Sequence, residues 1–197
     1  MLLDLGMSLP LCLAVPADLP ALVALMNSAY RGVGPEASWN TEARYLEGNR
    51  TNETDLAEEL ASKPEAVLLV TQEMAEGSLQ GCVLLAPLSD GLWHLGSLAV
   101  DPLLQKSGLG RKLLQSAEEW AAQRGARTIQ IEVVNVRDTL IAWYERRGYR
   151  LTGAVNPFPY GDNRFGTPLR NDLSFVVLEK SLLGATIEAD SSQSAIS

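Results

Sequence analysis

The sequence has little of what disulfide-rich, metal-binding or membrane-spanning proteins need. Its 197 residues include two cysteines, Cys12 and Cys82, which stand far apart among apolar neighbours. Two such cysteines exclude a disulfide framework and a CxxC metal site, and they favour a reducing compartment, so we expect a cytoplasmic protein. No stretch of about 18 uncharged apolar residues occurs, which excludes a membrane-spanning helix and a membrane partner. The apolar N-terminus lacks a cationic start and contains Pro10, so it makes a poor signal peptide.

Positive charge is also scarce. The chain has 16 Lys and Arg residues against 24 Asp and Glu residues, which gives a net charge of −8. A surface that neutralises the phosphates of a nucleic acid needs the opposite balance, so we expect no nucleic-acid partner. The hydrophobic share of 46% and the charged share of 20% are those of an ordinary folded protein. The length predicts a single domain at residues 1–183. A disordered tail is predicted at residues 184–197.

Hydrophobic spacing along the chain alternates between the two-residue period of strands and the longer period of helices. Strands are predicted at 11–15, 67–71, 81–86, 92–100, 128–134, 149–154 and 173–178. Helices are predicted at 19–30, 109–124 and 139–147, with short helices around 41–46 and 55–62. The three strands between 67 and 100 form an antiparallel meander, and the region 92–134 requires a parallel pair joined by a right-handed crossover. The pattern therefore predicts a mixed α/β sheet.

A glycine-containing segment opens the longest predicted helix. It reads Gln105-Lys106-Ser107-Gly108-Leu109-Gly110-Arg111-Lys112. Glycines allow a sharp turn that points consecutive N–H groups at one spot, where the helix dipole favours a diphosphate. The segment lacks the Gly-Lys-Ser/Thr of a P-loop, and Leu113 replaces the third glycine of the dinucleotide motif. Residues 101–107 also separate the two glycines from the preceding strand, whereas a Rossmann loop follows its strand at once. Alone, such a segment is more often a plain helix start.

Three segments follow each other in a fixed order: Leu98-Ala99-Val100-Asp101-Pro102, the glycine segment, and Trp143-Tyr144-Glu145-Arg146-Arg147-Gly148-Tyr149. Together they resemble the GNAT family of N-acetyltransferases, whose pattern Q/R-x-x-G-x-G/A the glycine segment matches. The resemblance covers about residues 67–180, whereas the first 65 residues match only as a generic start. It implies a mixed, mostly antiparallel twisted sheet of GNAT type, with a parallel strand-helix-strand crossover and helices on both faces.

The resemblance also implies a reaction, which is the transfer of an acetyl group from acetyl-CoA to a primary amine by direct attack in a ternary complex, without a metal. Backbone N–H groups of the glycine segment would hold the CoA pyrophosphate; these residues are Gln105, Lys106, Ser107, Gly108, Leu109, Gly110 and Arg111. Leu98, Ala99 and Val100 would present backbone groups to the thioester and the pantetheine arm. Asn135 and Arg137 would lie near that arm, although Asn135 is equally well explained as a turn residue.

Two side chains are the catalytic candidates. The resemblance implies that Tyr144 lies near the CoA sulfur, where its hydroxyl would stabilise the departing thiolate; without the resemblance it would be a packing aromatic. The acceptor amine must lose a proton before it attacks. His94, the single histidine, has a reference pKa of about 6.5 that suits a base, and alternation predicts that it shares a strand face with Leu98 and Val100. A structural His94, with a carboxylate or a water chain as the base, explains the sequence equally well.

The acceptor pocket of GNAT folds is formed by the early helices and the late strand loop, here about residues 30–50 and 158–170. The candidate acceptor residues in these segments are Trp39, Glu42, Phe158 and Tyr160. Aromatic rings and carboxylates suit an organic ammonium, and Arg44 and Arg50 could hold a substrate carboxylate. Solvated loop charge is the more frequent explanation of any one of them.

The predicted acceptor is a small-molecule amine or amino acid. Two alternatives stay open, a protein N-terminus or lysine as the acceptor, and a non-catalytic protein that senses acetyl-CoA. The sequence also leaves open whether the protein is a monomer or a homodimer.

Overall fold

The computed structural model of the protein describes residues 8–32, 37–39, 41–72, 78–162, 164 and 166–183. The strands are β1 (Cys12–Leu13), β2 (Leu46–Glu47), β3 (Val67–Gln72), β4 (Leu79–Ser89), β5 (Leu92–Val100), β6 (Thr128–Val134), β7 (Arg150–Pro157), β8 (Thr167–Pro168) and β9 (Ser174–Ser181). The α-helices are α1 (Leu19–Arg31), α2 (Glu53–Ser62), α3 (Leu109–Ala122) and α4 (Asp138–Glu145). Short 3₁₀-helices span Pro16–Asp18 and Pro102–Ser107. Within these ranges no helix is long and apolar enough to cross a membrane.

Seven strands form one sheet in the order β1-β3-β4-β5-β6-β9-β7. The antiparallel meander β3-β4-β5 is confirmed, and so is the parallel pair β5-β6, which α3 connects. The parallel pairing runs from Leu92 and Thr128 to His94 and Gln130, although both strands continue further. Beyond His94 the two strands therefore diverge and leave a cleft at the centre of the sheet.

A β-bulge interrupts β5 beside this cleft. Cys82 of β4 pairs with Ala99, whereas Leu84 pairs with Gly96, so two residues of β5 lie opposite one residue of β4. Ser97, one of the two, has a φ of 47°, in the left-handed region. A bulge leaves its extra residue unpaired in the ladder and bends the strand, so it frees backbone groups of β5 at the cleft.

The bulge also overturns the predicted placement of His94. Because it shifts the alternation by one residue, His94 lies on the sheet face that carries Ala99 and faces α1. Leu95, Leu98 and Val100 pack against the core on the opposite face. The prediction that His94 shares a face with Leu98 and Val100 is therefore wrong.

Helices cover both faces of the sheet, as predicted. On one face α3 packs through Leu113, Leu114 and Ala117. On the other face α1 packs through Leu22, Leu25 and Met26. The apolar side chains recur at helical spacing in both helices, so burial of one stripe on each fixes how the helix lies on the sheet.

The early region differs most from its prediction. The expected helix at 41–46 is a turn followed by β2, which pairs with β8 in a separate two-stranded sheet. Leu46 is buried with Val134, Phe158 and Leu173, and this cluster ties the early segment to the late one. The tertiary contact outweighs the weak helical pattern of a short segment. The predicted tail at 184–197 lies outside the described residues.

Candidate active site

Among the described residues, two adjoining cavities lie at the cleft between β5 and β6. The first is bordered by Val100, Gln105, Gly110 and Trp143, and we call it the narrow lobe. The second is bordered by Arg31, Glu42, Arg50, His94, Glu132 and Phe158, and we call it the wide lobe. Five of the described residues border both, and we call this shared boundary the neck; they are Tyr30, Leu98, Arg137, Leu140 and Tyr144. The predicted glycine segment thus meets the narrow lobe, and the predicted acceptor segments meet the wide one.

Tyr30 and the bulge shape the neck. The Tyr30 hydroxyl donates a hydrogen bond of 3.1 Å to the carbonyl oxygen of Leu98. Burial raises the pKa of Tyr30 to about 12, so the hydroxyl stays protonated and keeps this bond at physiological pH. Sequence reasoning missed this contact, because the two residues lie 68 positions apart and only the folded sheet brings α1 under the bulge.

Tyr144 is buried at the neck, where α4 delivers it. Its ring lies edge-on between Trp143, with centroids 4.9 Å apart, and Tyr149, at 5.3 Å. Burial raises the pKa of Tyr144, so its hydroxyl is a hydrogen-bond donor and not a phenolate at neutral pH. Tyr144 therefore borders both lobes, and its role beside the CoA sulfur stays a prediction.

A buried carboxylate binds the tyrosine that packs against Tyr144, which is Tyr149. Glu118 of α3 accepts a hydrogen bond of 2.9 Å from the Tyr149 hydroxyl and one of 2.6 Å from Lys180 Nζ. One sequence signal marks this buried carboxylate: Glu118 follows Leu114 by four residues and so lies on the apolar stripe of α3. A charge on a buried stripe needs partners, but the partners lie 31 and 62 residues away and no local pattern identifies them.

The glycine segment starts as a 3₁₀-helix, where a loop was predicted. Asp101 caps the 3₁₀-helix by accepting a 2.9 Å bond from the Leu103 N–H, and Lys106 and Ser107 lie at its end. Gly108 then takes the left-handed conformation, with a φ of 81°, and α3 begins at Leu109. A Cβ at Gly108 would meet open space, and one at Gly110 would lie 3.8 Å from a Val100 methyl beside the narrow lobe. The start of α3 therefore borders this lobe at Gly110, which has no side chain to fill the space. The positive end of the helix dipole lies at the same place.

Gln105 has a contact that its predicted backbone role did not include. Its side-chain nitrogen donates to Ser38 Oγ at 2.7 Å, and its side-chain oxygen accepts from the Trp39 N–H at 3.2 Å. This latch holds residues 37–39 against the glycine segment. As a result Trp39, predicted on the acceptor side, borders the narrow lobe and is half exposed.

Glu42 and Arg137 form one buried group at the wide lobe. Glu42 Oε1 lies 2.6 Å from an Arg137 nitrogen, and Glu42 Oε2 pairs with Arg31. The three charged groups are almost fully buried, and Arg137 also borders the narrow lobe. Glu42 was predicted to contact the acceptor and Arg137 to contact CoA, and the structure adds that the two bind each other across 95 residues.

Three other candidates have different positions. Asn135 donates to the carbonyl of Asp172 at 2.9 Å and accepts from the Ser174 N–H at 3.0 Å, which fits the turn interpretation of Asn135. Tyr160 lies outside both lobes, and its hydroxyl accepts from the Leu173 N–H at 2.7 Å, so it closes the late loop. Phe158 does border the wide lobe.

The cationic candidates of the early segment also separate. Arg50 borders the wide lobe, and its guanidinium carbon lies 5.5 Å from the centroid of the Tyr30 ring. Arg44 is exposed and lies outside both lobes.

His94 borders the wide lobe and also a surface cavity on its other side. That cavity is lined by residues 63–66 and 86–88 with Gln130 and Glu132. Burial lowers the pKa of His94, Glu132 and Glu59 oppose the shift, and Lys63 adds to it. The imidazole is therefore neutral at pH 7. It borders both the wide lobe and the surface cavity. A Cβ at Gly96 would lie only 2.7 Å from His94 Nε2, so glycine at this position makes room for the ring.

Cys82 is not a nucleophile. It is fully buried on β4, its sulfur donates to the Ser97 carbonyl at 3.6 Å, and burial raises the pKa of its thiol to about 12. A reactive cysteine needs thiolate character and access, and Cys82 has neither.

Comparison with known proteins adds independent findings. The sequence profile of a family described as "Acetyltransferase (GNAT) family" matches residues 23–149, more than half of the chain. YxbD, an uncharacterised protein of Bacillus subtilis strain 168, is 33% identical over 54 residues, which are 27% of this chain and 34% of YxbD. The matched segment thus spans about a third of that relative.

Solved structures share the fold at low identity. The ribosomal-protein-alanine N-acetyltransferase of Brucella melitensis superposes with a TM-score of 0.63 at 21% identity, over 88% of this chain and 100% of that one. A GNAT family acetyltransferase of Elizabethkingia anophelis, solved with acetyl-CoA bound, gives a TM-score of 0.51 at 18% identity, over 64% of this chain and 82% of that one.

Proposed function

This chain belongs to the GNAT family of acetyltransferases, and from that premise we propose that it transfers the acetyl group of acetyl-CoA to the primary amine of a small molecule, in a ternary complex. The observation that carries the proposal is the neck, where the narrow lobe, bordered by Gly110 near the start of α3, and the charged wide lobe meet at Leu98 and Tyr144. A donor bound in one lobe and an acceptor bound in the other would have their reacting groups side by side, which is the arrangement that direct transfer needs.

The glycine segment suits a coenzyme with a pyrophosphate. The first turn of α3 supplies N–H groups and the positive end of a helix dipole, and Gly108 and Gly110 keep side chains out of the way. In this proposal residues 105–111 hold the pyrophosphate, and Val100 with the bulge at Leu98 lies along the pantetheine arm. Trp39 and the Gln105 latch close the lobe from the side, which adds a cofactor role for Trp39 in place of its predicted acceptor role.

Acetyl-CoA supplies an activated thioester, whose carbonyl carbon forms the new C–N bond while the C–S bond breaks and the electron pair leaves on sulfur. Backbone N–H groups freed by the bulge on β5 stabilise the developing negative charge on the carbonyl oxygen. The Tyr144 hydroxyl donates a hydrogen bond at the sulfur side of the neck. His94 accepts the proton that the acceptor ammonium loses before it attacks, and the surface cavity that His94 borders gives that proton a way out. The second proton, which the nitrogen loses as the C–N bond forms, is balanced by protonation of the departing thiolate to CoA thiol.

A small acceptor is favoured by the contacts that hold the early and late segments together beside the wide lobe. The β2–β8 pair joins these segments, Leu46, Phe158 and Leu173 pack in one cluster, and Leu46 and Phe158 border the lobe. A long open groove for a peptide would need these segments apart. The Brucella melitensis structure is named for a protein acceptor, but at 21% identity it shares the fold alone, so its acceptor is no guide to this one.

The first test removes only the Tyr144 hydroxyl. We expect the wild-type protein and Tyr144→Phe to bind CoA with micromolar affinity, because the ring still fills the neck. Thiol release in the presence of an acceptor amine should slow about 10- to 100-fold in Tyr144→Phe, which is the worth of one hydrogen bond to a charged group. Calorimetry measures CoA binding and a thiol reagent measures turnover. Absence of saturable CoA binding by the wild type would contradict the proposed function, and unchanged turnover would remove Tyr144 from the mechanism.

Tyr149→Phe is the matched control. Tyr149 is equally buried and touches Tyr144, but its hydroxyl points to Glu118 and away from the lobes. We expect this variant to lose about 1 to 3 kcal/mol of unfolding free energy, since one oxygen of Glu118 loses its partner, and to keep its turnover number. The two substitutions should therefore separate catalysis from stability.

The second test concerns the base. Burial lowers the pKa of His94 below the usual histidine value, so the imidazole becomes protonated only at a more acidic pH. We therefore expect kcat/KM of the wild type to decline in that acidic range. In His94→Gln the loss should be largest near pH 7 and should shrink toward about pH 10, where a lysine-like acceptor amine is itself neutral. A pH profile of both proteins checks this. An equal loss at every pH would mean that His94 is structural.

A further inference from the structure

We propose that Tyr30 is a positioning residue for the transfer reaction: its hydroxyl holds the Leu98 carbonyl and thereby keeps the Leu98 N–H directed at the carbonyl oxygen of the thioester. This inference rests on the proposed function and adds to it a residue of α1, the helix that packs against the face of the sheet on which Ala99 lies. It starts from the bulge on β5.

The bulge leaves Ser97 and Leu98 without a partner residue in the sheet. Among the described residues, the pairing of β5 with β4 passes from Gly96 to Ala99, and its pairing with β6 ends at His94. Ser97 also has a φ of 47°, in a region that residues other than glycine rarely adopt. Such a conformation persists only where surrounding contacts hold it, so the side chains that bond to this stretch of backbone decide its shape.

A thiol and a phenol hydroxyl bond to this stretch. The Cys82 thiol of β4 donates to the Ser97 carbonyl at 3.6 Å, and the Tyr30 hydroxyl of α1 donates to the Leu98 carbonyl at 3.1 Å. A thiol is a weak donor, so the tyrosine supplies the stronger bond. Tyr30 also borders both lobes, and its bond therefore lies where donor and acceptor would meet.

The direction of the Leu98 N–H follows from these bonds. The peptide between Ser97 and Leu98 is trans, so its N–H points opposite to its carbonyl. Because the Ser97 carbonyl points at Cys82 on β4, the Leu98 N–H points away from β4, toward the side on which β5 and β6 diverge. Leu98 borders both lobes on that side. We therefore place its N–H at the neck, next to the carbonyl that Tyr30 holds.

An N–H fixed at this place acts on the step in which charge moves. As the acceptor nitrogen bonds to the thioester carbon, the carbonyl oxygen gains negative charge, and a correctly aimed N–H stabilises that charge more in the transition state than in the bound substrate. Loss of such a donor costs about 100- to 1000-fold in kcat. Loss of the bond that aims the donor should cost less, because the N–H itself remains and only its direction varies.

Tyr30→Phe removes only the hydroxyl that holds the carbonyl. The acceptor is whichever of lysine, phenylalanine, tyramine and spermidine the wild type acetylates fastest, and thiol release from acetyl-CoA measures turnover. We expect kcat to fall about 10-fold, which is the worth of one hydrogen bond. The affinity for CoA, measured by calorimetry, should stay unchanged because CoA has no thioester carbonyl, and the KM of the acceptor should stay unchanged as well.

An infrared measurement tests the same contact without any acceptor. The probe is a ketone analogue of acetyl-CoA, in which a methylene group replaces the thioester sulfur and the carbonyl is isotopically labelled. A hydrogen bond to the carbonyl oxygen lowers its stretching frequency. We expect the band of the analogue bound to the wild type to lie below its band in a solvent without hydrogen-bond donors. Tyr30→Phe should move the bound band upward and broaden it.

Tyr149→Phe is the control for the loss of a buried hydroxyl. The Tyr149 hydroxyl donates to Glu118 at 2.9 Å, and Tyr149 borders neither lobe. We expect Tyr149→Phe to lose at least as much stability against denaturant as Tyr30→Phe does, and to keep the kcat and the infrared band of the wild type. A general loosening of the core would instead move both variants alike.

The outcomes separate this inference from the proposed function. The inference is wrong if Tyr30→Phe keeps the wild-type kcat, if kcat falls while the band stays in place, or if Tyr149→Phe moves the band as far. A higher acceptor KM at unchanged kcat would assign Tyr30 to the acceptor and overturn it too. A wild-type band that is not lowered would show, without any variant, that no N–H reaches the carbonyl. In each case CoA still binds and the proposed function stands; failure of CoA itself to bind would overturn the proposed function.

Discussion

Gly108→Glu should weaken CoA binding by at least about 100-fold and leave the protein folded. Gly108 lies where the 3₁₀-helix of residues 102–107 meets α3, and a Cβ there would meet open space. A glutamate carboxylate would project beside the N–H groups that are proposed to hold the pyrophosphate. A repulsion of a few kcal/mol between like charges about 4 Å apart near a protein surface, with each 1.4 kcal/mol worth tenfold, gives this loss. Calorimetric titration with CoA measures it.

Gly125→Glu provides a closely matched control at the other end of α3. Gly125 also has a positive φ, 94° against 81°, and a Cβ there would also meet open space. Both substitutions therefore carry the same backbone strain, of about 1 to 2 kcal/mol, and the same added charge. We expect Gly125→Glu to lose that stability and to bind CoA as the wild type does. Equal loss of CoA affinity in both variants, or unchanged affinity in Gly108→Glu, would show that the glycine segment does not hold the coenzyme.

The centre of the sheet was predictable from the sequence because its signals are local. The strands at 92–100 and 128–134 have the predicted bounds, since the first is a mostly apolar run and the second alternates β-branched residues with polar ones. The start of α3 after Gly108 was predictable for a similar reason, because glycine allows the left-handed turn and an amphipathic run follows. These elements place the cleft.

The errors arise where structure depends on contacts between distant residues. Gly96, directly before Ser97, is a local signal that was missed, because an isolated glycine within a strand often marks a bulge. A shift of one residue was enough to move His94 to the other face. The segment 41–46 has a weak helical pattern, but pairing with β8 and burial of Leu46 decide its structure. Periodicity describes one element at a time, so it cannot see a pairing partner that lies more than 100 residues away.

Most residues that border the candidate site were predictable from the sequence, but their side-chain partners were not. Tyr144, His94, Glu42 and Phe158 do border the cleft, because the order of the segments fixes which ends of strands and helices meet there. Tyr160 does not, because its hydroxyl is used within its own loop. Side-chain partners that are decided by the folded structure, such as Ser38 for Gln105 and Tyr30 for Leu98, have no local signature.

Glu42 should be the largest single electrostatic contribution to stability at the site. Its carboxylate lies between the buried guanidinium groups of Arg31 and Arg137, which come from α1 and from the turn after β6. Glu42→Gln keeps the shape and removes the charge, so two buried cations lose their shared counter-ion. Removal of one partner of a buried ion pair costs about 3 to 5 kcal/mol, and we expect a loss near about 3 kcal/mol because the glutamine amide oxygen still accepts a hydrogen bond. For a chain of this size the melting temperature should fall by about 6 to 12 °C.

Denaturant unfolding at pH 7 measures the loss, and Glu47→Gln is the control. Glu47 lies five residues further on, in β2, and is exposed, so its substitution should change the free energy of unfolding by less than about 0.5 kcal/mol. Acceptor kinetics distinguish the two roles that Glu42 could have. If Glu42 binds the acceptor ammonium directly, as the sequence suggested, Glu42→Gln should raise KM and leave stability intact. If Glu42 instead holds Arg31 and Arg137 in place, the free energy of unfolding should fall as stated, because the two buried guanidinium groups lose their shared counter-ion.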